Sequence, residues 1–199
     1  MISAVIQPRL APGLNRIAKW LAKIGISPNL LSFSSLVINT GAAFLFSQGR
    51  FLAAGLLMVP GGCLDFLDGS LARVTGRDKG LGSLLDAVLD RYSDLVILAG
   101  IAFFYASQGR PGILLLVLVT MMGFMIVPYA RARAEFLIPS CRVGIMGRPE
   151  RWFLLALGAV VDQLPIFLAI LALLTHFTVA QRIYFTWRQL LNQEGKLDG

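Results

Sequence analysis

Five aspartates, Asp65, Asp68, Asp86, Asp90 and Asp94, lie inside stretches of this chain that are otherwise apolar enough to cross a bilayer. A charged side chain at the centre of a membrane span costs about 2.5 kcal/mol or more. A fold can therefore hold these residues only where something compensates them. The segment GGCLDFLDGSLARVTGRDKGLGSLLDAVLDRYSD, residues 61–94, holds six of the eleven acidic residues. The sixth, Asp78, falls between the two apolar stretches and reads as a solvated turn residue.

Membrane residence follows from composition. The 199 residues are 56% hydrophobic and only 15% charged, against about 25% charged in soluble domains. Stretches near the roughly 20 residues that a crossing needs run over 30–48, 51–72, 81–106, 112–132, 151–170 and 166–187. The last two overlap, and Asp162, Gln163 and Pro165 mark the turn between them. The expected fold is an all-α integral membrane protein of six transmembrane helices. In the segment before them Leu14, Ile17, Leu21 and Ile24 recur at helical spacing opposite Arg16, Lys19 and Lys23, which predicts an amphipathic helix lying in the membrane interface. Ser27, Pro28 and Asn29 then turn the chain inward, with Ser or Asn as the cap and Pro in the first turn. Residues 1–29 thus form a juxtamembrane segment, 30–192 the six-helix domain and 193–199 a tail.

Basic residues set the orientation, because cytoplasmic loops retain Lys and Arg. Sixteen of the 18 fall on one side of this topology: Arg9, Arg16, Lys19 and Lys23; Arg73, Arg77, Lys79 and Arg91; Arg131, Arg133, Arg142, Arg148 and Arg151; and Arg182, Arg188 and Lys196. Only Arg50 and Arg110 lie on the other. Both termini and the two basic turns are therefore expected in the cytoplasm, the chain sitting in a cell membrane. The net charge of +7 marks one membrane face, suited to anionic lipids and phosphorylated substrates, and calls for no nucleic acid. Cys63 and Cys141 are too few for a zinc site and are expected to pack as free thiols, and His176 stands without a ligand partner.

At about 100° per residue, Asp65, Asp68, Gly69 and Ala72 share one helix face, and Gly82, Asp86 and Asp90 form an i, i+4, i+8 stripe on the next. Asp65 and Asp86 each lie about 10–12 Å in from the connecting turn at 1.5 Å per residue. Four carboxylates can therefore converge in a cavity open to the cytoplasm. Oxygen ligands of this kind favour Mg²⁺ or Mn²⁺, and so many carboxylates suit two ions clamping the oxygens of a phosphoryl transfer. Gly69, Ala72 and Gly82 leave room for a nucleotide, whose phosphates Arg73 could meet. Pairing of the aspartates with Arg73, Arg77 and Arg91 is the structural alternative, and for Asp94 it is the preferred one.

Written as D-x2-D-G-x2-A-R-x8-G-x3-D-x3-D, residues 65–90 resemble the signature of the CDP-alcohol phosphotransferase family at all eight positions. The resemblance implies that Asp65, Asp68, Asp86 and Asp90 ligate the metals and that Asp90 is also the general base. It further implies that Asp65, Asp68, Gly69, Ala72, Arg73 and Gly82 hold the CDP group of a CDP-linked lipid, and that the enzyme is a homodimer. A second constellation, YARARAE at 129–135, GRPERW at 147–152 and VAQRIYFTWR at 179–188, carries cations enough for a dianionic phosphate. These segments are similar to those of the prokaryotic phosphatidylinositol phosphate synthases within the family, although actinobacterial members tend to carry Lys where Arg131 stands. On that likeness Arg131, Arg148, Arg151 and Arg182 hold inositol phosphate, to which CDP-diacylglycerol gives its phosphatidyl group with release of CMP. The runner-up acceptor is glycerol 3-phosphate, as in a phosphatidylglycerophosphate synthase. The alternative from another class is a cation transporter, since intramembrane carboxylates also line ion pathways.

Overall fold

The computed structural model describes residues 2–76 and 80–194, with side chains from Pro12 to Gln193 outside that gap. Expectations placed on Arg77, Asp78, Lys79, Lys196 and the side chain of Arg9, and the tail from residue 195 on, lie outside the described residues. Among those residues the chain is entirely helical: α1 (Ile2–Lys23), α2 (Pro28–Ser47), α3 (Phe51–Val74), α4 (Leu81–Ser107), α5 (Pro111–Leu137), α6 (Arg148–Val160) and α7 (Leu164–Glu194).

Local chemistry sets several of these ends. Ser27 caps α2, its hydroxyl accepting from the Leu30 amide at 3.3 Å, with Pro28 in the first turn, as the sequence predicts. Pro111 opens α5 and Pro149 lies in the first turn of α6, where a missing N–H leaves no helical partner wanting. Asp162, with φ of 55°, reverses the chain between α6 and α7.

Four helices, Pro28–Ser47, Phe51–Val74, Pro111–Leu137 and Leu164–Gln193, are long and apolar enough to cross a membrane. The 27-residue α4 has the length, but Asp86, Asp90, Arg91 and Asp94 crowd its first half. The stretch read as a fifth span over 151–170 is corrected: the helix there is the 13-residue Arg148–Val160, about 20 Å long at 1.5 Å per residue. Its continuation through 164–170 belongs to α7, because residues that are uniformly apolar give no periodic signal of where a turn interrupts them.

α2 packs on α3 and α4, α5 on α4 and α7, and α6 between α3 and α7, with α1 against α3. Ala42, Phe46, Met58, Ile97, Leu98, Phe124, Leu155 and Leu168 fill the core between them. Small residues bring the backbones together where the lipid supplies no hydrophobic drive. A methyl group on Gly100 would lie 2.2 Å from the Ala43 carbonyl oxygen, and one on Gly123 would lie 2.1 Å from Thr175 Oγ1. In α1, Ala18 is fully buried against Leu31 and Leu71, while Ile17 and Trp20, and Ile24 just after the helix, stay exposed. The expected apolar stripe therefore splits, with Leu14 and Leu21 half-buried and the other two turned outward.

Because the added methyl of Gly100→Ala meets backbone, which cannot rotate away, α2 and α4 must separate. The substitution is expected to destabilise the bundle by about 1–3 kcal/mol, measured as a lower midpoint of unfolding in mixed detergent micelles.

Candidate active site

α3 and α4 run from the turn that joins them with Asp65 and Asp68 on one and Asp86 and Asp90 on the other. What ties the two pairs together is α2, through a buried polar stripe at Ser32, Ser35 and Asn39. Ser32 Oγ lies 2.8 Å from Asp68 Oδ2 and 3.4 Å from Asp86 Oδ1, so one hydroxyl serves a carboxylate from each helix. Ser35 Oγ lies 3.2 Å from Asp65 Oδ1 and 3.0 Å from the Gly61 carbonyl, and accepts from Asn39 Nδ2 at 3.3 Å. The sequence reading missed these three residues. Their i, i+3, i+7 spacing in an otherwise apolar helix is the signal that identifies them.

The remaining link is cationic. Arg148, first residue of α6, places Nη1 against both Asp65 Oδ2 and Asp90 Oδ1, the latter at 2.8 Å. The carboxylates thus fall into two pairs, Asp65 with Asp90 across a guanidinium and Asp68 with Asp86 across a hydroxyl. Among the described residues no three acidic, His or Cys side chains close to metal-ligand spacing. The donor set nonetheless fits a hard divalent cation: four carboxylates and two hydroxyls from three helices, drawn together where a positive group already sits between two of them.

Beside these carboxylates is a cavity of about 290 Å³ whose wall includes Ser32, Asp68, Gly69, Ala72, Arg73, Gly82 and Asp86. Gly69 leaves its floor open, and Arg73 lies over it, its Nη2 donating to Ser70 Oγ at 3.1 Å. On the other side of α3 is an apolar groove of about 320 Å³ lined by Val59, Gly62, Cys63, Phe66, Trp152 and Phe153, with Asp65 and Arg148 at its edge. Gly62 admits the Trp152 ring, which would stand 2.7 Å from an added methyl. Cys63 and Cys141 are both free thiols, and His176 Nδ1 is 2.8 Å from the Ala172 carbonyl within α7.

The other arginines singled out from sequence are each held by protein groups. Arg151 is 2% exposed. Its Nη1 donates to the Phe124 carbonyl at 2.8 Å, its guanidinium lies 4.6 Å from the centre of that ring, and its Nη2 is 3.5 Å from Asp94 Oδ2. Arg182 donates to the carbonyls of Val127 and Val143, clamping the loop after α5 onto α7, where Met146 N also donates to Thr178 Oγ1 at 3.0 Å. That loop delivers Arg148 to the carboxylates. Arg131 pairs with Glu135 at 2.9 Å on the surface of α5, and Arg133 stacks on Phe136.

A family model described as CDP-alcohol phosphatidyltransferase matches residues 25–192. The archaetidylinositol phosphate synthase of Pyrococcus horikoshii is 34% identical over 93% of this chain and 96% of its own. The phosphatidylinositol phosphate synthase of Mycobacterium marinum is 30% identical over 87% and 79%. Among solved structures, the phosphatidylinositol phosphate synthase of Mycobacterium tuberculosis with CDP-diacylglycerol bound superposes with a TM-score of 0.78, at 27% identity over 87% of this chain and 93% of that one. The same enzyme in complex with manganese and citrate gives 0.77, over 87% and 88%.

Replacing Arg148 by Gln leaves Asp65 and Asp90 facing each other without a cation. The variant is expected to lose about 1.5–3 kcal/mol of stability in chelator, and to recover more than the wild type does when Mn²⁺ is added. Thermal unfolding with and without the ion measures both.

Proposed function

The chain belongs to the CDP-alcohol phosphatidyltransferase family, and on that footing we propose that it transfers the phosphatidyl group of CDP-diacylglycerol to a hydroxyl of inositol phosphate, releasing CMP. The observation that carries this reading is the meeting of both halves of the eight-position pattern at one cavity, with an apolar groove on the far side of α3. A substrate with a charged head and hydrocarbon tails fits such a boundary, the head in the cavity and the tails in the groove and bilayer. The relatives named for inositol phosphate products support the acceptor, as does the store of arginines on α5, α6 and α7.

In this reading Asp65, Asp68, Asp86 and Asp90 hold the family's divalent metal, as two Mg²⁺ or Mn²⁺ ions. When bound, those ions would neutralise the diphosphate and polarise the attacking hydroxyl. Gly69, Ala72 and Gly82 accommodate the cytidine and its phosphates, with Asp68 and Arg73 bounding the same space and Asp65, at the edge of the groove, completing the set that holds the CDP group. The acceptor oxygen attacks the β-phosphorus, its proton passes to a carboxylate oxygen of Asp90, and the bond to the bridging oxygen breaks so that CMP departs with that oxygen. Arg131, Arg148, Arg151 and Arg182 form the cationic wall for the acceptor's phosphate.

The same reading sets the molecule in its membrane. α2 to α7 make six crossings, α6 the short one, and α1 lies in the interface with Ile17, Trp20 and Ile24 among the lipids. Residues 1–29, 30–192 and 193–199 keep their division into juxtamembrane segment, catalytic domain and tail. The carboxylates and both termini face the cytoplasm of the cell, and the enzyme works as a homodimer.

The test is CMP release in lipid nanodiscs supplied with Mg²⁺ and CDP-diacylglycerol or its ether-linked counterpart, with inositol phosphate, glycerol 3-phosphate and free inositol in parallel. Release is expected with inositol phosphate, and Asp90→Asn should lower kcat about 100- to 10,000-fold. Release with glycerol 3-phosphate alone would overturn the acceptor, and uptake of a cation without CMP release would favour the transporter.

A further inference from the structure

We infer that Asp94 is a positioning residue for the acceptor: its buried carboxylate seats Arg148 and Arg151 so that their free donors meet the acceptor's phosphate. The inference rests on the proposed transfer to a phosphorylated alcohol. Asp94 continues the stripe of Asp86 and Asp90 one turn further along α4, yet it is outside the eight-position pattern and is not part of the wall of either the cavity or the groove. It is 2% exposed. Asp94 Oδ2 faces Arg91 Nη1 at 3.4 Å and Arg151 Nη2 at 3.5 Å, and Oδ1 lies 4.0 Å from Arg148 Nε.

One carboxylate thus faces three guanidinium groups, and two of these also meet other carboxylates, Arg91 at Asp90 and Arg148 at Asp65 and Asp90. The geometry decides which of their donors stay unspent. Arg151 is fixed by the Phe124 carbonyl on one side and Asp94 on the other, which locks the first turn of α6. Arg148, three residues earlier in that turn, is approached by Asp94 along its Nε edge and by Asp65 and Asp90 at Nη1. Its Nε and Nη2 and the Nε of Arg151 are buried and hydrogen-bond no protein group. Asp94 therefore directs the two arginines electrostatically while leaving three N–H donors unspent. A phosphate, with its several acceptor oxygens, takes up such donors in paired, charge-assisted hydrogen bonds. A carboxylate serving only to join α4 to α6 would leave acceptor binding unaffected once folding is preserved.

The measurement is steady-state CMP release in nanodiscs with Mg²⁺, varying CDP-diacylglycerol and inositol phosphate separately. Asp94→Asn should raise the KM for inositol phosphate about 10- to 100-fold while moving the KM for CDP-diacylglycerol less than about twofold, and Asp94→Glu should recover part of the loss. An unchanged acceptor KM, or an equal change in both, overturns the inference. If Asp94→Asn does not fold, the double variant Asp94→Asn with Arg91→Gln keeps the cluster's charge balance. It should retain the raised acceptor KM, and a wild-type value there overturns the inference. Wild-type protein inactive with every phosphorylated acceptor removes the proposed function and Asp94's role with it, whereas active wild type with an unmoved acceptor KM in the variants removes Asp94's role alone.

Discussion

Carboxylates held inside a helix bundle are the constraint to which the rest of this structure answers. Ionised groups removed from water are costly unless opposite charge and hydrogen bonds surround them. Here each carboxylate of α3 and α4 has drawn a partner from another helix: a hydroxyl from α2 for Asp68 and Asp86, the Arg148 guanidinium of α6 for Asp65 and Asp90, and the Arg151 guanidinium of α6 for Asp94, beside Arg91 of its own helix. Such pairs add little net stability over apolar packing, but breaking one strands a buried charge. They therefore work as specifiers, fixing which helices neighbour which and in what register, and the apolar core at the other end of the bundle supplies the cohesion.

That arrangement requires α2 to come close to both α3 and α4, since Ser32 and Ser35 have short side chains. The small residues accomplish it. Gly100 lies against the backbone of α2 at Ala43, and Gly61 lies against Asn39. Close backbone approach is the usual basis of helix association in a bilayer. In this chain it also brings hydroxyls within hydrogen-bond reach of the carboxylates, so one compositional device serves both packing and site assembly.

Much of this was legible in the sequence, for identifiable reasons. The spacing of Asp65, Asp68, Gly69, Ala72, Arg73, Gly82, Asp86 and Asp90 is a statement about helix faces, and faces survive folding because the helical period is fixed. The cap at Ser27 was legible because its chemistry is local. The length of α6 was not, since residues 151–170 are apolar on both sides of the turn and hydropathy cannot separate a span from a short helix followed by a longer one. Nor were the partners of Arg151 and Arg182: a basic residue at a helix end reads as a free cation until the carbonyls of Phe124, Val127 and Val143 are brought up to it. Ser32, Ser35 and Asn39 sit between these cases. Their period was visible, but small polar residues in a membrane helix gain a meaning only when the carboxylates they face are known.

The distribution of charge then connects fold to chemistry. If the arginines of α5, α6 and α7 were simply retained on one membrane face, they would point outward like Arg133 and lie exposed. Arg148, Arg151 and Arg182 instead turn inward, and of these three Arg148 is the one that reaches carboxylates of the pattern, Asp65 and Asp90. An Arg between acidic groups is a strong counterion, yet its guanidinium has five donors and two carboxylates engage one nitrogen of it. A site made this way can exchange its partners: negative charge arriving on a substrate phosphate competes for the same guanidinium, while a cation arriving at the aspartates replaces what the guanidinium gave them. On the proposed function, the carboxylates and arginines separate as substrate and metal enter, each set keeping its charge compensated throughout, which is the condition a charged site in a membrane must meet at every step.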